Sequence, residues 1–231
     1  MVKLNGKNIF LVRTCAENID YHLPGVVGAA RELTSPIDIW ECFFTDEMLN
    51  DIVENTTRFD DKTTRLERQE IDKLATIRTF FETFNSNCKK YYIMSEYTTV
   101  DEKLEAFRGR CGFKIYMPQK PNRYGIKIYA LTDAKMFFTA HMDVGKQPPS
   151  PYQVNTSNIG LVPRLCEHIW NSDRNVTMDN FFTAEVAEEL LAKKLTILGT
   201  IKKKTNVASR ISPRKSACGE AVCVHFKNIL L

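Results

Sequence analysis

No apolar run in this 231-residue chain approaches the ~20 residues that a membrane-spanning helix needs, so no membrane partner is expected. Its start, Met1 to Arg13, carries Lys3 and Lys7 but no apolar leader core, so no secretory signal is expected. A disulfide framework is lacking too: the seven cysteines are odd in number and scattered singly, and reduced thiols in cytosol or nucleus are the expectation. The bias of a collagen, a low-complexity linker or a disordered chain is absent, since 43% hydrophobic, 10% aromatic and 26% charged residues is a globular mix. Acid is scarce at the end. From Lys193 onward Glu220 stands against Lys193, Lys194, Lys202, Lys203, Lys204, Arg210, Arg214, Lys215 and Lys227, while acid dominates between Glu17 and Glu54. The net charge is +4, and this uneven sign points to an anionic partner near the C-terminal part or to a solvated basic tail.

What is present has periods. The first forty residues are weakly patterned, with turns at Pro24-Gly25 and Ser35-Pro36. Met48, Leu49, Ile52 and Val53 share a helical face after Thr45 as N-cap, with Asp46 and Glu47 in the first turn. Asn55 to Arg68 is polar and reads as a loop. Leu74, Ile77, Phe81, Phe84, Cys88 and Tyr91 then step by three and four, the stripe of a buried helix face rather than a ligand box.

After Ser95 the character turns to strands. Thr98-Thr99-Val100 leads to Asp101, and Tyr124 to Thr132 and Met136 to Val144 read as a hairpin turning through Thr132–Lys135. A helix is expected from about Gly160 to Trp170, a strand over Asn175–Met178 ending at Asp179, and a helix capped by Thr183 with Val186, Ala187, Leu190 and Leu191 inward. Leu195–Ile201 is a last strand, and Lys202–Leu231 reads as an irregular loop with a short apolar tail. A helical crossover between the last two strands demands parallel neighbours, so the fold class is an α/β mixed sheet with an antiparallel pair at one side and flanking helices.

Asp101 and Asp179 both stand where a strand is expected to end, the place where α/β sheets collect chemistry. Two carboxylates side by side there call for Mg²⁺ or Mn²⁺ between them. Spacing alone favours plain strand-end turn formers. Arg108, Arg110, Lys114, Lys120, Arg123 and Lys127 follow the first aspartate closely and suit phosphates better than a small-molecule substrate.

Several blocks resemble the piggyBac transposase family. They are Thr99-Val100-Asp101-Glu102-Lys103-Leu104, Phe107-Arg108-Gly109-Arg110-Cys111, Tyr116–Pro121, Tyr124-Gly125-Ile126-Lys127, Asn175–Thr183 and Leu195–Ile201. Phe43–Leu49 and Arg58–Lys62 look like two more. The order is the family's and most of the chain is covered. The resemblance implies an RNase H-like fold, Asp101 and Asp179 as the first two of three metal-holding catalytic aspartates, cut-and-paste chemistry on DNA at TTAA targets, and a nuclear location. Two metal ions ~4 Å apart would serve such chemistry, with Asp101 bridging and Asp179 holding one.

The resemblance also implies gaps. The third aspartate lies beyond this chain's end, and Glu185, Glu188, Glu189 and Glu220 match no third block. A long helical block is missing between Thr57 and Arg58, and the cysteine-rich zinc module is missing too; Cys218, Cys223 and His225, even with Cys166 and His168, make no convincing ligand set, so no zinc is expected. The parsing is an N-terminal helical remnant over 1–57, a helical segment over 58–95, a partial RNase H-like core over 96–204, incomplete at the C-terminus with one sheet face uncovered, and an insertion-region tail over 205–231. The expected function is a transposase-derived protein that lacks cut-and-paste competence and keeps DNA binding through Arg108, Arg110, Lys120, Arg123, Lys127 and Lys202–Lys204. Its enzyme activity is doubtful, and any Mg²⁺ or Mn²⁺ would be weakly held. The alternative is an interaction module pairing with a homodimer partner or another transposase subunit.

Overall fold

The computed structural model describes residues 2–4, 7–9, 23–57, 62–134, 137–145, 149–182, 184–201, 211–215 and 222–226. Strands β1 (Val2–Leu4) and β2 (Lys7–Ile9) pair antiparallel, and β3 (Gly25–Val26) pairs with β4 (Tyr92–Ile93). Between them lie four helices: α1 (Pro36–Phe43), α2 (Asp46–Thr57), α3 (Lys62–Ile71) and α4 (Arg78–Tyr91). Ser35-Pro36 is therefore a helix start rather than a plain turn: proline at the first helical position lacks only an N–H that would be unpaired there anyway. Thr45 caps α2 as expected, its Oγ1 accepting from the Met48 N–H at 3.4 Å. The α2 stripe is only partly buried: Met48 is inside, but Ile52 and Val53 are 46% and 59% exposed.

The expected loop over Asn55–Arg68 is wrong on both sides of its middle, which lies outside the described residues together with the Arg58–Asp61 block. Helix α2 runs on to Thr57 because Asn55, Thr56 and Thr57 turn their side chains back to the carbonyls of Asp51, Ile52 and Val53, at 2.6–2.8 Å. Helix α3 shows no buried stripe, since Leu66 and Ile71 are exposed, and so offers no period to read. Helix α4 starts at Arg78 rather than Leu74, because Asp72 accepts the Leu74 N–H at 2.9 Å and makes residues 73–77 a turn.

The central sheet holds β5 (Tyr97–Ala106), β6 (Ile115–Tyr116), β7 (Tyr124–Thr132), β8 (Phe137–Met142), β9 (Asn175–Phe182) and β10 (Thr196–Ile201), ordered β10-β9-β5-β7 with β6 and β8 both on the far edge of β7. β5, β7 and β8 run antiparallel to their neighbours as a meander, whereas β9 is parallel to both β5 and β10. The β7–β8 hairpin and the β9–α6–β10 crossover appear as expected, with α6 at Ala184–Ala192; Thr183 and Lys135 lie outside the described residues. Helix α5 (Asn158–Cys166) continues into a 3-10 turn over Glu167–Ile169.

In β5, Thr98, Val100 and Leu104 are buried and alternate with exposed Tyr97, Thr99, Asp101, Lys103 and Glu105. The buried face packs Val100, Leu131, Val176, Met178 and Ile197 against Leu161 and Leu165 of α5 and Val186 and Leu190 of α6. Each such side chain contributes ~1.5–3 kcal/mol by leaving water. Cys166 belongs to this core, and burial pushes its thiol up to about 12. The edge of β8 is covered by Asn85 of α4, which donates to the Ala140 carbonyl at 3.1 Å and accepts its N–H at 3.0 Å, so the strand presents no free pair there to another chain. Arg174 grips the approach to β5 through the carbonyls of Met94 and Ser95 at 3.0 and 3.1 Å. Asp133 accepts from the Tyr92 hydroxyl and the Ser95 N–H, both at 3.0 Å.

The stretch after Lys202 is not wholly irregular. β11 (Ile211–Lys215) and β12 (Val222–Phe226) pair antiparallel, in keeping with their Ile and Val content; Lys202–Lys204 and Cys218 lie outside the described residues. Among the described residues no helix is long and apolar enough to cross a membrane.

His141 on β8 gives a pH test of this packing. Burial first, then the charge of Arg164, with Arg78 also unfavourable and Asp143 opposing, lowers its pKa to about 4. Its Nε2 is buried without a hydrogen-bond partner. The unfolded chain takes up this proton near the usual 6.5 and the folded one does not, so stability must fall as pH drops from about 6.5 toward 4. The expected loss is up to ~3 kcal/mol, or roughly 6–12 °C in melting midpoint. Melts of the parent and His141→Leu at pH 7 and pH 4.5 check it: the parent midpoint must fall further than the variant's on acidification, and equal falls would refute the assignment.

Candidate metal and nucleic-acid site

The β5–β9 pairing runs Tyr97↔Asn175, Thr98↔Val176, Thr99↔Thr177 and Val100↔Met178. Asp101 and Asp179 are the residues that directly follow the last pair, Val100 and Met178. Both are exposed. The expectation that each ends a strand is corrected: β5 continues to Ala106 and β9 to Phe182. What ends at the aspartates is the pairing between the two strands. β9 also bulges here, since Met178 pairs with Gly199 but Phe182 with Ile201, four residues against two. Bulges of this kind re-aim side chains beside functional clefts.

Beyond Val100 the β9 side of β5 is thus open. The Asn175 N–H donates to the Glu96 carbonyl, so even-numbered backbone groups of β5 face β9, and Glu102 inherits that direction without a ladder partner. Its N–H donates instead to Asp101 Oδ1 at 2.7 Å, and its carbonyl accepts from Lys120 Nζ at 3.4 Å. The Glu102 carboxylate lies on the opposite face, paired with Lys127 Nζ at 2.9 Å.

Two exposed carboxylates on adjacent strands suit one Mg²⁺ or Mn²⁺ completed by water or phosphate oxygens. Among the described residues no group of three or more His, Cys, Asp and Glu side chains stands together, whereas a two-ion centre draws on several carboxylates. Their formal charge of about −2 would meet +4 in such a centre.

The basic residues divide. Arg108, Arg110 and Arg123 are exposed. Gly109 lets the 107–114 segment fold tightly, since a Cβ there would stand 2.6 Å from the Phe107 ring, and Lys114 donates to the Gly109 carbonyl at 3.0 Å. Lys120 and Lys127 are engaged with Glu102, and Lys127 also lies 4.5 Å over the Tyr129 ring. Sequence reasoning missed the tilted ring pair Tyr116 and Tyr124, whose ring centroids are 4.8 Å apart and which are 52% and 59% exposed beside Arg123. It also missed a cleft of about 890 Å³ between α3 and the 107–114 segment, lined among others by Phe107, Arg110, Phe113 and Lys114. The signal for the tyrosines was their cross-strand register, which only the two-residue strand β6 reveals.

The fold has a counterpart among solved structures. The structure of a piggyBac transposase synaptic complex with hairpin DNA matches with a TM-score of 0.67 and 22% identity, over 80% of this chain and 54% of that one. This chain thus spans about half the length of that transposase. The mixed sheet with flanking helices is its RNase H-like fold. No curated protein matches. A sequence-family model described as Transposase IS4 matches residues 52–222, about three quarters of the chain. The chain therefore belongs to the Transposase IS4 family and carries the piggyBac transposase fold that its sequence blocks anticipate.

Proposed function

We propose that this chain is a DNA-binding transposase derivative that holds one divalent cation between Asp101 and Asp179 and does not carry out cut-and-paste transfer. The observation behind this reading is the β5–β9 register, whose last pair, Val100 and Met178, immediately precedes the two aspartates. Such a cation would supply charge for phosphate oxygens and acidity for a bound water. Asp101 and Asp179 contribute its carboxylate oxygens. Arg108, Arg110 and Arg123 neutralise backbone phosphates beside it, and exposed Tyr116 and Tyr124 offer flat apolar surface to sugar or base. Two carboxylates bring a formal charge of about −2, which matches one divalent cation better than the two ions of strand transfer. DNA as partner makes the nucleus the place of action.

One melting series tests this reading. Parent and Asp101→Asn proteins are melted alone, with Mn²⁺, and with a short DNA duplex. A ligand at a hundredfold its Kd stabilises by about 2.7 kcal/mol, or roughly 5–11 °C. Mn²⁺ must raise the parent midpoint and leave the variant unmoved. The duplex must raise both, and its effect must fade between 50 and 200 mM salt as phosphate contacts are screened. A parent indifferent to Mn²⁺ sinks the cation assignment; one indifferent to duplex at low salt sinks the DNA assignment.

A further inference from the structure

Glu102 is tied at three separate groups. Its N–H reaches Asp101 Oδ1 at 2.7 Å, its carbonyl receives Lys120 Nζ at 3.4 Å, and its carboxylate receives Lys127 Nζ at 2.9 Å. The residue stands where β5 has lost β9 and keeps a ladder only with β7, through the Glu102↔Tyr129 step. A strand held along one edge can pivot about that edge, and the N–H that aims the Asp101 carboxylate would pivot with it. The Lys127 bond acts from the other face of the sheet. Lys127 and Glu102 have side chains only 18% and 25% exposed, and the ammonium is further fixed over the Tyr129 ring.

We propose that Lys127 and Glu102 form a positioning pair: by pinning Glu102 from the buried face, Lys127 holds the Glu102 N–H on Asp101 and so fixes that carboxylate in the orientation that receives a divalent cation. This rests on the cation reading above. It reassigns Lys127 from a phosphate contact to a residue that acts through the backbone of its neighbour. The neighbouring groups agree. Asp101 Oδ1 accepts the Glu102 N–H, which leaves Oδ2 for an incoming cation without reorientation. Burial lowers the Lys127 pKa, but Tyr129 and Glu102 outweigh it and raise the value overall, so the ammonium stays charged across the neutral range.

The sign of one measurement separates positioning from plain electrostatics. Removing a cation near an acidic metal site should tighten Mn²⁺ binding if charge were all that mattered. Loss of positioning should weaken it. Mn²⁺ affinity is read from the electron paramagnetic resonance of free Mn²⁺, at a temperature well below each variant's melting midpoint, for the parent, Lys127→Met, Lys127→Arg and Asp101→Asn. The expected result is a Kd raised three- to tenfold in Lys127→Met, restored to within about twofold of the parent in Lys127→Arg, and no binding in Asp101→Asn. Should Lys127→Met fail to fold, Lys127→Gln replaces it with the same expected direction. Unchanged or tighter binding in the Met or Gln variant overturns the pair while leaving the cation site standing. A parent that binds no Mn²⁺ overturns both.

Discussion

Arg78→Ala is expected to remove about 3–5 kcal/mol of stability, because it strands a buried carboxylate. Asp72 is 4% exposed. It accepts Arg78 Nη2 at 2.6 Å, a second bond from Arg78 Nε, and the Leu74 N–H at 2.9 Å. The guanidinium also pairs with Glu82 at 2.8 Å and lies 4.6 Å from the centre of the Tyr152 ring. The Asp72 hydrogen bond is the largest cause raising the Arg78 pKa, so the guanidinium is charged at every working pH. Truncating Arg78 takes two charge-assisted hydrogen bonds from a buried carboxylate, and the melting midpoint should drop by roughly 6–20 °C. Asp72→Asn/Arg78→Met, which removes both charges, should recover a good part of that loss. A urea melt of the single variant within 1 kcal/mol of the parent would show that water reaches the pair. The position matters beyond its own energy. The bridge closes the turn between α3 and α4, and Lys73 in the same turn donates to the Val144 carbonyl at 2.9 Å, so the helical layer is tied to the end of β8 through it.

The parts of the fold that could be read in advance share one property: their side chains meet a buried surface on one side. β7, β10 and α6 announce themselves because Tyr129, Leu131, Ile197, Val186 and Leu190 recur at the period of their element. The unread parts lack that contrast. Helix α3 buries no stripe, and the end of α2 is held by Thr and Asn side chains that elsewhere break helices. The second half of β5 is the clearest case. The strand is expected to end at Asp101, yet Asp101, Glu102, Lys103 and Glu105 form strand because Ala130, Tyr129, Ile128 and Ile126 stand opposite in β7. Tertiary pairing overrides local preference there.

At the site, the aspartates were visible only through family blocks, since spacing does not reveal that β5 and β9 are neighbours. Once they are, the register does the rest. The lysines teach the reverse. A tally of basic residues treats Lys127 like Arg123, but strand alternation in β7 already sets Lys127 on the face of Tyr129 and Leu131, the buried one. A lysine on that face must find a carboxylate, and Glu102 is the one within reach.

Gly125→Ala should be the most damaging single-methyl change in the sheet. Gly125 is paired on both sides, with Ala106 of β5 and Ile115 of β6. A Cβ built there falls 2.1 Å from the Glu105 carbonyl oxygen and 3.1 Å from Leu104 Cγ. The first contact is backbone, which no rotamer change relieves, so β5 or β7 must shift and break part of the ladder. The expected cost is about 3 kcal/mol or more, roughly 6–12 °C in midpoint. Gly112→Ala is the control, since nothing lies within 4 Å of its added methyl; it should change stability by less than about 0.5 kcal/mol. The damage should also be directional. Ala106 leads into the segment that carries Arg108 and Arg110, whereas the aspartates sit at the other end of the β5–β7 ladder, where Asp101 opposes Ala130. Gly125→Ala should therefore speed amide exchange at Leu104–Ala106 and weaken duplex binding, and leave the Mn²⁺-induced rise in midpoint in place. Equal loss of both responses would mean that β5 moves as one rigid piece, and that the cation site and the arginine segment cannot be uncoupled by breaking the strand between them.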